Sequence, residues 1–217
     1  MKLNATGQLD FTDKMVSILD TGLRTLLNNP AVTERKNPAS EFPEIDLDEQ
    51  QKQHLAGLMR VNHCGEVCAQ GLYQGQSLTA RDPEVREKMQ QSAIEENDHL
   101  SWTADRIHQM NSHTSLLNPL FYLGSMAIGT VAGIAGDKWS LGFVAETERQ
   151  VVRHLESHLQ QIPANDRKSR SILQTMRDDE QHHATKAVEY GAADLSEPIR
   201  QWMKATAKIM TKTVYWF

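Results

Sequence analysis

The feature that most constrains this chain is a repeated pattern of glutamate and histidine on long helix-forming segments. One segment supplies a single glutamate, the next supplies a Glu-x-x-His pair, and the chain then repeats both steps. In chain order the residues are Glu66, Glu96 with His99, Glu148, and Glu180 with His183. Residues three apart share one face of an α-helix, so each pair can present a carboxylate and an imidazole to one point. The pattern therefore favours a fold that brings four helices together around one centre.

This order of residues is the ligand set of ferritin-like bundles that hold two iron or two manganese ions. Four carboxylates and two imidazoles suit divalent ions and can neutralise their charge. Glu66 lies in NHCGEVCAQGLY, whose small and apolar residues indicate an interior position, and a buried carboxylate without a partner is costly. We predict an all-α fold, a ferritin-like four-helix bundle with accessory helices, that binds two metal ions. A metal-free structural bundle with solvated acids is the alternative.

Neighbouring acids leave the register of the site open. The competing residues are Glu95, Glu146 and Asp179, the last with His182 three residues later. Glu96 and Glu180 are preferred because they alone give two matching Glu-x-x-His pairs. Glu95 and Asp179 are then either acceptors for the imidazole N–H groups or ordinary solvated acids.

Helix-forming residues dominate the chain, and strand-like alternation is scarce. Long helices are predicted at residues 46–80, 83–110, 137–161 and 165–190, and shorter ones at 10–28 and 196–213. Asp82 is expected to cap the second long helix, with Pro83 in its first turn. Residues 1–45 are predicted to form an amphipathic helix and a proline-rich linker, and residues 46–217 the metal-binding domain.

Residues 116–136 carry no charge and are about long enough to span a bilayer. Their many small residues favour a helix buried in the bundle or the wall of a substrate channel over a transmembrane span. A net charge of -5 and a pI near 6.0 argue against binding to nucleic acid. Cys64 and Cys68 share one helix face and are predicted to pack as small apolar side chains. A zinc site formed with His63 and His99 is the alternative.

Four stretches resemble the demethoxyubiquinone hydroxylase family of ubiquinone biosynthesis, in its bacterial branch. They are RVNHCGEVCAQGLYQGQ (60–76), EENDHLSWTADRI (95–107), the stretch 115–150, and DDEQHHATKA (178–187). The resemblance covers roughly residues 47–217 and implies a ferritin-like monooxygenase with two iron ions. Its substrate would be a polyprenylated demethoxyubiquinol, and its metal residues map onto the six already named. The choice of Glu148 over Glu146 rests partly on this resemblance.

The resemblance also implies a catalytic role for His154, near the metals and linked to electron delivery. NADH is the candidate reductant, and a separate reductase is the alternative. Leu155 and Gly57 stand where some animal members of the family carry Tyr and Arg. The chain has no Gly-x-Gly-x-x-Gly motif after a strand, so no Rossmann-type cofactor site is predicted.

The partners expected from the resemblance are the quinol, dioxygen and a complex of ubiquinone-biosynthesis proteins. The expected location is peripheral, on the cytoplasmic side of the cell membrane, because the sequence shows no secretory signal and the substrate carries an isoprenoid tail. The competing function is an iron-handling protein of the ferritin or rubrerythrin type. Such a protein has no need for a long apolar segment beside the site, and rubredoxin-like cysteine pairs are missing from the sequence.

Overall fold

The computed structural model describes residues 11–28, 30 and 35–217, which are mostly α-helical and contain no strand. The α-helices of these residues are α1 (Phe11–Leu26), α2 (Glu49–Thr79), α3 (Pro83–Gln109), α4 (Asn118–Ala135), α5 (Asp137–Gln161), α6 (Arg167–Glu189) and α7 (Glu197–Val214). A 3-10 turn at Pro38–Glu41 lies within the predicted linker. Residues 1–10, 29 and 31–34 of the predicted N-terminal helix and linker lie outside the described part of the chain.

The four long helices α2, α3, α5 and α6 form the bundle, in which α2 packs on α3 and α5 packs on α6. The predicted all-α, ferritin-like bundle is therefore confirmed. Local signals place the helix ends as expected: the Asp82 side chain accepts a hydrogen bond from the Glu84 N–H at 2.9 Å, with Pro83 next to it. After α6, Gly191 takes a positive φ of 89°, a conformation that favours glycine.

Two apolar clusters divide the bundle interior. The first contains, among others, Met59, Trp102, Leu155, Leu173 and Met176. The second contains, among others, Tyr73, Met89, Val144, Ala145 and Ala187. On each of the four long helices, the glutamates and histidines of the repeated pattern fall between the residues that feed these two clusters. The fold therefore places the polar residues in a middle layer, closed by apolar side chains on both sides.

The uncharged segment forms α4, which lies against α2 with the two backbones in close approach. A Cβ on Gly75 would come within 2.2 Å of the Met126 carbonyl oxygen, and a Cβ on Gly129 within 2.2 Å of the Leu72 carbonyl oxygen. Such spacing needs glycine, because any side chain would force the helices apart.

The opposite face of α4 is exposed, so burial in the bundle, one of the two alternatives favoured from the sequence, does not hold for most of this helix. Leu120 is 67% exposed and Val131 is 68% exposed, and 22% of the 18 residues Asn118–Ala135 are buried. The four bundle positions are filled by the long helices, and α4 contacts them through a narrow stripe of small residues. Within the described ranges, α4 alone is long and apolar enough to cross a membrane.

Candidate metal centre

The structure brings all six predicted ligands into the middle layer of the bundle. Each of the four long helices contributes, and none of the six residues is more than 4% exposed. Single ligand atoms of Glu66, Glu96, His99 and Glu180 all lie within 4.8 Å of one another. Glu148 and His183 complete the set from α5 and α6.

Both imidazoles turn their Nδ1 atoms toward the same two carboxylates. His99 Nδ1 lies 2.8 Å from Glu96 Oε2, 3.2 Å from Glu180 Oε1 and 3.7 Å from Glu66 Oε2. His183 Nδ1 lies 3.1 Å from Glu96 Oε1 and 3.2 Å from Glu180 Oε2. Glu96 and Glu180 therefore lie between the two imidazoles, where they would help to hold metal ions together with both histidines.

The far nitrogen of each imidazole is held by an acid from the other helix. His99 Nε2 lies 2.9 Å from Asp179 Oδ2, and His183 Nε2 lies 2.6 Å from Glu95 Oε2. Hydrogen bonding to His183 lowers the pKa of Glu95 to about 2, so this acid is an ionised acceptor near neutral pH. Donation from Nε2–H leaves the Nδ1 lone pair pointing inward, as a metal ligand requires. The structure thus places these two acids as imidazole partners, one of the two roles considered from the sequence.

The electrostatics of the cluster favour a bound cation. Burial raises the pKa of Glu66 and of Glu148, and repulsion from Glu96 and Glu180 raises both further. Burial opposes protonation of His99, yet hydrogen bonds to Asp179 and to the clustered glutamates raise its pKa. Within the described chain, Glu96 Oε1 and Glu180 Oε1 accept no hydrogen bond of good geometry. Buried carboxylates that repel one another, and whose nearest donors are the two imidazoles, fit ligation of a divalent ion.

The structure separates the competing acids from the chosen ligands. Glu146 accepts hydrogen bonds from Gln150 at 2.8 Å and from Arg153 at 3.3 Å, both on its own helix. His182 is exposed, so it cannot join Asp179 in a buried ligand pair. Glu148 instead faces the cluster, where its pKa responds to the neighbouring glutamates.

Two residues at the centre were missed by sequence reasoning. The Tyr73 hydroxyl donates to Glu148 Oε1 at 2.6 Å, and the Tyr73 side chain is fully buried. Its position seven residues after Glu66, on the same face of α2, was an available signal. Arg35, from the linker, forms an ion pair of 2.8 Å with Asp179. No spacing rule connects a linker residue to a helix so distant in sequence.

His154 has no hydrogen bond to the six ligands and faces a separate cavity of about 630 Å³ between α2, α5 and α7. The cavity is also lined by Leu58, Val61, His158, Tyr215 and Trp216. The centre of the His154 ring lies 3.9 Å from that of the His158 ring, and burial lowers the pKa of His154. His154 Nε2 is buried and makes no hydrogen bond with the described residues. Its predicted catalytic role stays a prediction.

Cys64 and Cys68 are free thiols in an apolar cluster with Val61, Phe121 and Val214. His99, which the alternative zinc site would need, is instead committed to the carboxylate cluster. The prediction that the two cysteines act as packing residues is confirmed.

Comparisons with known proteins point the same way. The family model described as "Ubiquinone biosynthesis protein COQ7" matches residues 53–214. A 3-demethoxyubiquinol 3-hydroxylase of Chromobacterium violaceum is 55% identical over 203 residues, which are 94% of this chain and 98% of that protein. Proteins of the same name are 55% identical in Pseudomonas putida, over 94% of both chains, and 53% identical in Dechloromonas aromatica, over 94% of this chain and 99% of that protein. The matched range contains all six candidate ligands.

Proposed function

The chain belongs to the COQ7 family of ubiquinone biosynthesis proteins, and we propose that it hydroxylates the ring of a polyprenylated demethoxyubiquinol at a di-iron centre. The observation that carries this proposal is the convergence of four glutamates and two histidines from four helices in one buried layer. Ferritin-like bundles use this donor set for paired metal ions.

The residues that would hold the metals share a buried position and inward-facing donor atoms. They are Glu66, Glu96, His99, Glu148, Glu180 and His183. Two iron ions bound there would supply the activation of dioxygen, with one oxygen atom going to the ring and the other leaving as water. Asp179 and Glu95 keep both imidazoles oriented, and the apolar layers above and below exclude water from the reaction.

The reaction also consumes two electrons, for which NADH is the proposed source. His154 is the proposed residue for electron delivery. It lines the 630 Å³ cavity, through which a reductant could approach its side chain. A Cβ on Gly57 would lie 2.6 Å from the Tyr215 ring. Tyr215 therefore fills the space that a side chain at position 57 would need.

The proposed location is the cytoplasmic face of the cell membrane, with α1 and α4 as the contact surface. These two helices touch each other, and both carry apolar side chains at least 57% exposed. The residues are Val16, Leu19, Leu23, Leu120, Leu123 and Val131. Because the inner face of α4 lies backbone to backbone on α2, the outer face alone is available to enter the lipid. A membrane-bound position would let the isoprenoid tail of the quinol remain in the bilayer.

Membrane fractionation tests this location. The protein should sediment with membranes and be released by alkaline carbonate, which removes peripheral proteins and leaves the bilayer intact. Leu120→Glu together with Val131→Glu should shift the protein to the soluble fraction. If carbonate fails and only a detergent that dissolves the bilayer releases the unaltered protein, peripheral binding is contradicted and a spanning α4 is favoured.

Turnover of a demethoxyubiquinol tests the activity itself. Glu180→Ala should abolish formation of the hydroxylated quinol, because the variant loses a candidate metal ligand that lies between the two imidazoles. Circular dichroism of the variant should show an intact helical fold. The matched control is Glu189→Ala, which removes an exposed carboxylate from the same helix. Full turnover in Glu180→Ala would refute the assignment. Iron-dependent oxygen consumption by the unaltered protein without hydroxylated product would favour the iron-handling alternative.

A further inference from the structure

Arg35 reaches from the linker to the outer side of the metal centre. Its Nε lies 2.8 Å from Asp98 Oδ2 and its Nη1 lies 2.8 Å from Asp179 Oδ2. The guanidinium carbon stacks 4.9 Å from the centre of the Trp102 ring, and Nη2 lies 3.5 Å from His99 Nε2. One side chain thus contacts two acids, an aromatic ring and a candidate metal ligand.

The Asp179 oxygen that Arg35 contacts is the same oxygen that holds His99. Asp179 Oδ2 lies 2.8 Å from Arg35 Nη1 and 2.9 Å from His99 Nε2. A guanidinium fork fixes the carboxylates that it bonds more firmly than a point charge does. Asp98 is 1% exposed, so its negative charge needs a cation nearby. Arg35 therefore determines the position of the atom that orients His99.

The segment that carries Arg35 is fixed on the bundle by contacts elsewhere along its length. We name residues 35–48 the strap. Ala39 and Leu47 of the strap are buried in the first apolar cluster. Glu44 forms ion pairs with Arg106 at 2.8 Å and with Lys168 at 3.1 Å. These contacts fasten the strap to α3 and α6, the two helices that supply the Glu-x-x-His pairs.

Among the residues that the structure describes, no arginine bonds the acid that holds the other imidazole. His183 is held by Glu95, and Glu95 accepts its further hydrogen bond from the neutral side chain of Gln91 at 3.0 Å. Gln91 is exposed, and Glu95 and His183 line a small surface pocket with Lys186. The two halves of the centre therefore share ligand chemistry and differ in what closes them from outside.

From this difference we propose that Arg35 is a positioning residue of the metal centre, which holds His99 through Asp179 and slows release of the ion that His99 binds. The inference rests on the proposed di-iron site. It predicts that the ion on the His99 side is released more slowly than the ion on the His183 side. It also gives the linker a role in retaining metal, since Arg35 is the strap residue that reaches the centre.

Iron transfer to a chelator tests the proposal without measuring turnover. The unaltered protein, Arg35→Gln and Arg35→Lys are loaded anaerobically with ferrous ammonium sulfate, and release to ferrozine is followed by stopped-flow absorbance. Arg35→Gln should accelerate the slower release phase by about tenfold, the low end of the effect of losing a histidine's own partner, because Asp179 remains and loses the donor that fixes it. The rate of the slower phase in Arg35→Lys should lie between those of the unaltered protein and Arg35→Gln, because lysine keeps the charge and loses the guanidinium fork. The control is Lys36→Gln, an exposed neighbour in the strap, which should leave both phases unchanged.

Arg35→Gln leaves the buried Asp98 without its guanidinium partner and could unfold the protein for that reason alone. The double variant Arg35→Gln/Asp98→Asn removes that charge while still freeing Asp179, so it should fold and still release iron about tenfold faster. Release at the unaltered rate in both variants would overturn the role of Arg35 and leave the di-iron site standing. Failure of the unaltered protein to take up iron would instead overturn the proposed function on which this inference rests.

Discussion

Replacing Tyr73 with phenylalanine removes one hydroxyl from the centre and little else. The ring of Tyr73 is fully buried, and its hydroxyl donates to Glu148 Oε1 at 2.6 Å. Phenylalanine keeps the ring, so the apolar packing above the metal layer should survive. The change isolates the effect of a single hydrogen bond on a candidate ligand.

The expected loss of metal affinity follows from the charge state of Glu148. Burial, together with Glu180 and Glu96, raises the Glu148 pKa, which favours the neutral carboxyl in metal-free protein. A ligating Glu148 is ionised, so its bond from Tyr73 is charge-assisted. A neutral hydrogen bond contributes about 0.5–1.5 kcal/mol and one to a charged group about 1.5–3 kcal/mol. The difference, about 1–2 kcal/mol, corresponds to affinity roughly five- to thirtyfold weaker.

Competition titration of ferrous ion against a chelator of known affinity measures this effect. The control is Tyr122→Phe, which removes another buried hydroxyl, one that donates to Gln74 and lies away from the centre. Tyr122→Phe should lower unfolding stability without changing iron affinity. Equal affinity in Tyr73→Phe and unaltered protein would refute the reasoning, because Glu148 would then gain nothing from its donor in the loaded state.

Two further predictions concern stability. His158 is buried with its Nδ1 atom 3.1 Å from Asn62 Oδ1, and burial lowers its pKa to about 3. A histidine in the unfolded chain binds a proton near pH 6.5, whereas folded His158 does not. Folding stability is therefore lost as the pH falls from 6.5 toward 3, by about 2 kcal/mol at pH 5. Urea unfolding of metal-free protein at pH 7 and pH 5 should therefore show a smaller acid loss in His158→Gln, and an identical loss would contradict this. Gly129→Ala should destabilise by about 1–3 kcal/mol, because its Cβ meets the Leu72 carbonyl oxygen at 2.2 Å. Gly124→Ala on the same helix, whose Cβ meets nothing within 4 Å, should be neutral or slightly stabilising, and equal losses in both would disprove the close approach of α4 to α2.

The long helices and the inward face of the centre could be predicted from sequence because both depend on local spacing. Glu96 with His99 and Glu180 with His183 need a helix and a three-residue step to share a face. Asp82 and Pro83 mark a helix start through their own side-chain and backbone chemistry. Such signals are complete within a few residues, so distant parts of the fold cannot change them.

The features that sequence reasoning did not reach depend on contacts between distant segments. The exposure of α4 is decided by which helices occupy the bundle, and its uncharged composition is the same whether it is covered or not. Arg35 meets Asp98 and Asp179 only after the linker has been laid on α3 and α6. His154 is a different case, because its direction follows from local helix rotation: at about 100° per residue, six residues after Glu148 turn the side chain about 240° around the axis from the ligand face, a signal that the sequence already held.

The two acids that precede the ligand glutamates also fix the register of the bundle. Glu95 bonds His183 on α6 at 2.6 Å, and Asp179 bonds His99 on α3 at 2.9 Å. Neighbouring residues on a helix point about 100° apart, so each acidic doublet directs one carboxylate inward and the other sideways onto the opposite helix. A slip of α3 along α6 by one residue, about 1.5 Å, would change the length and angle of both hydrogen bonds at once. Ligand geometry and helix register are therefore set by the same two pairs, and a partner that stiffens one pair, as Arg35 does for Asp179, must act on the metals and on the bundle together.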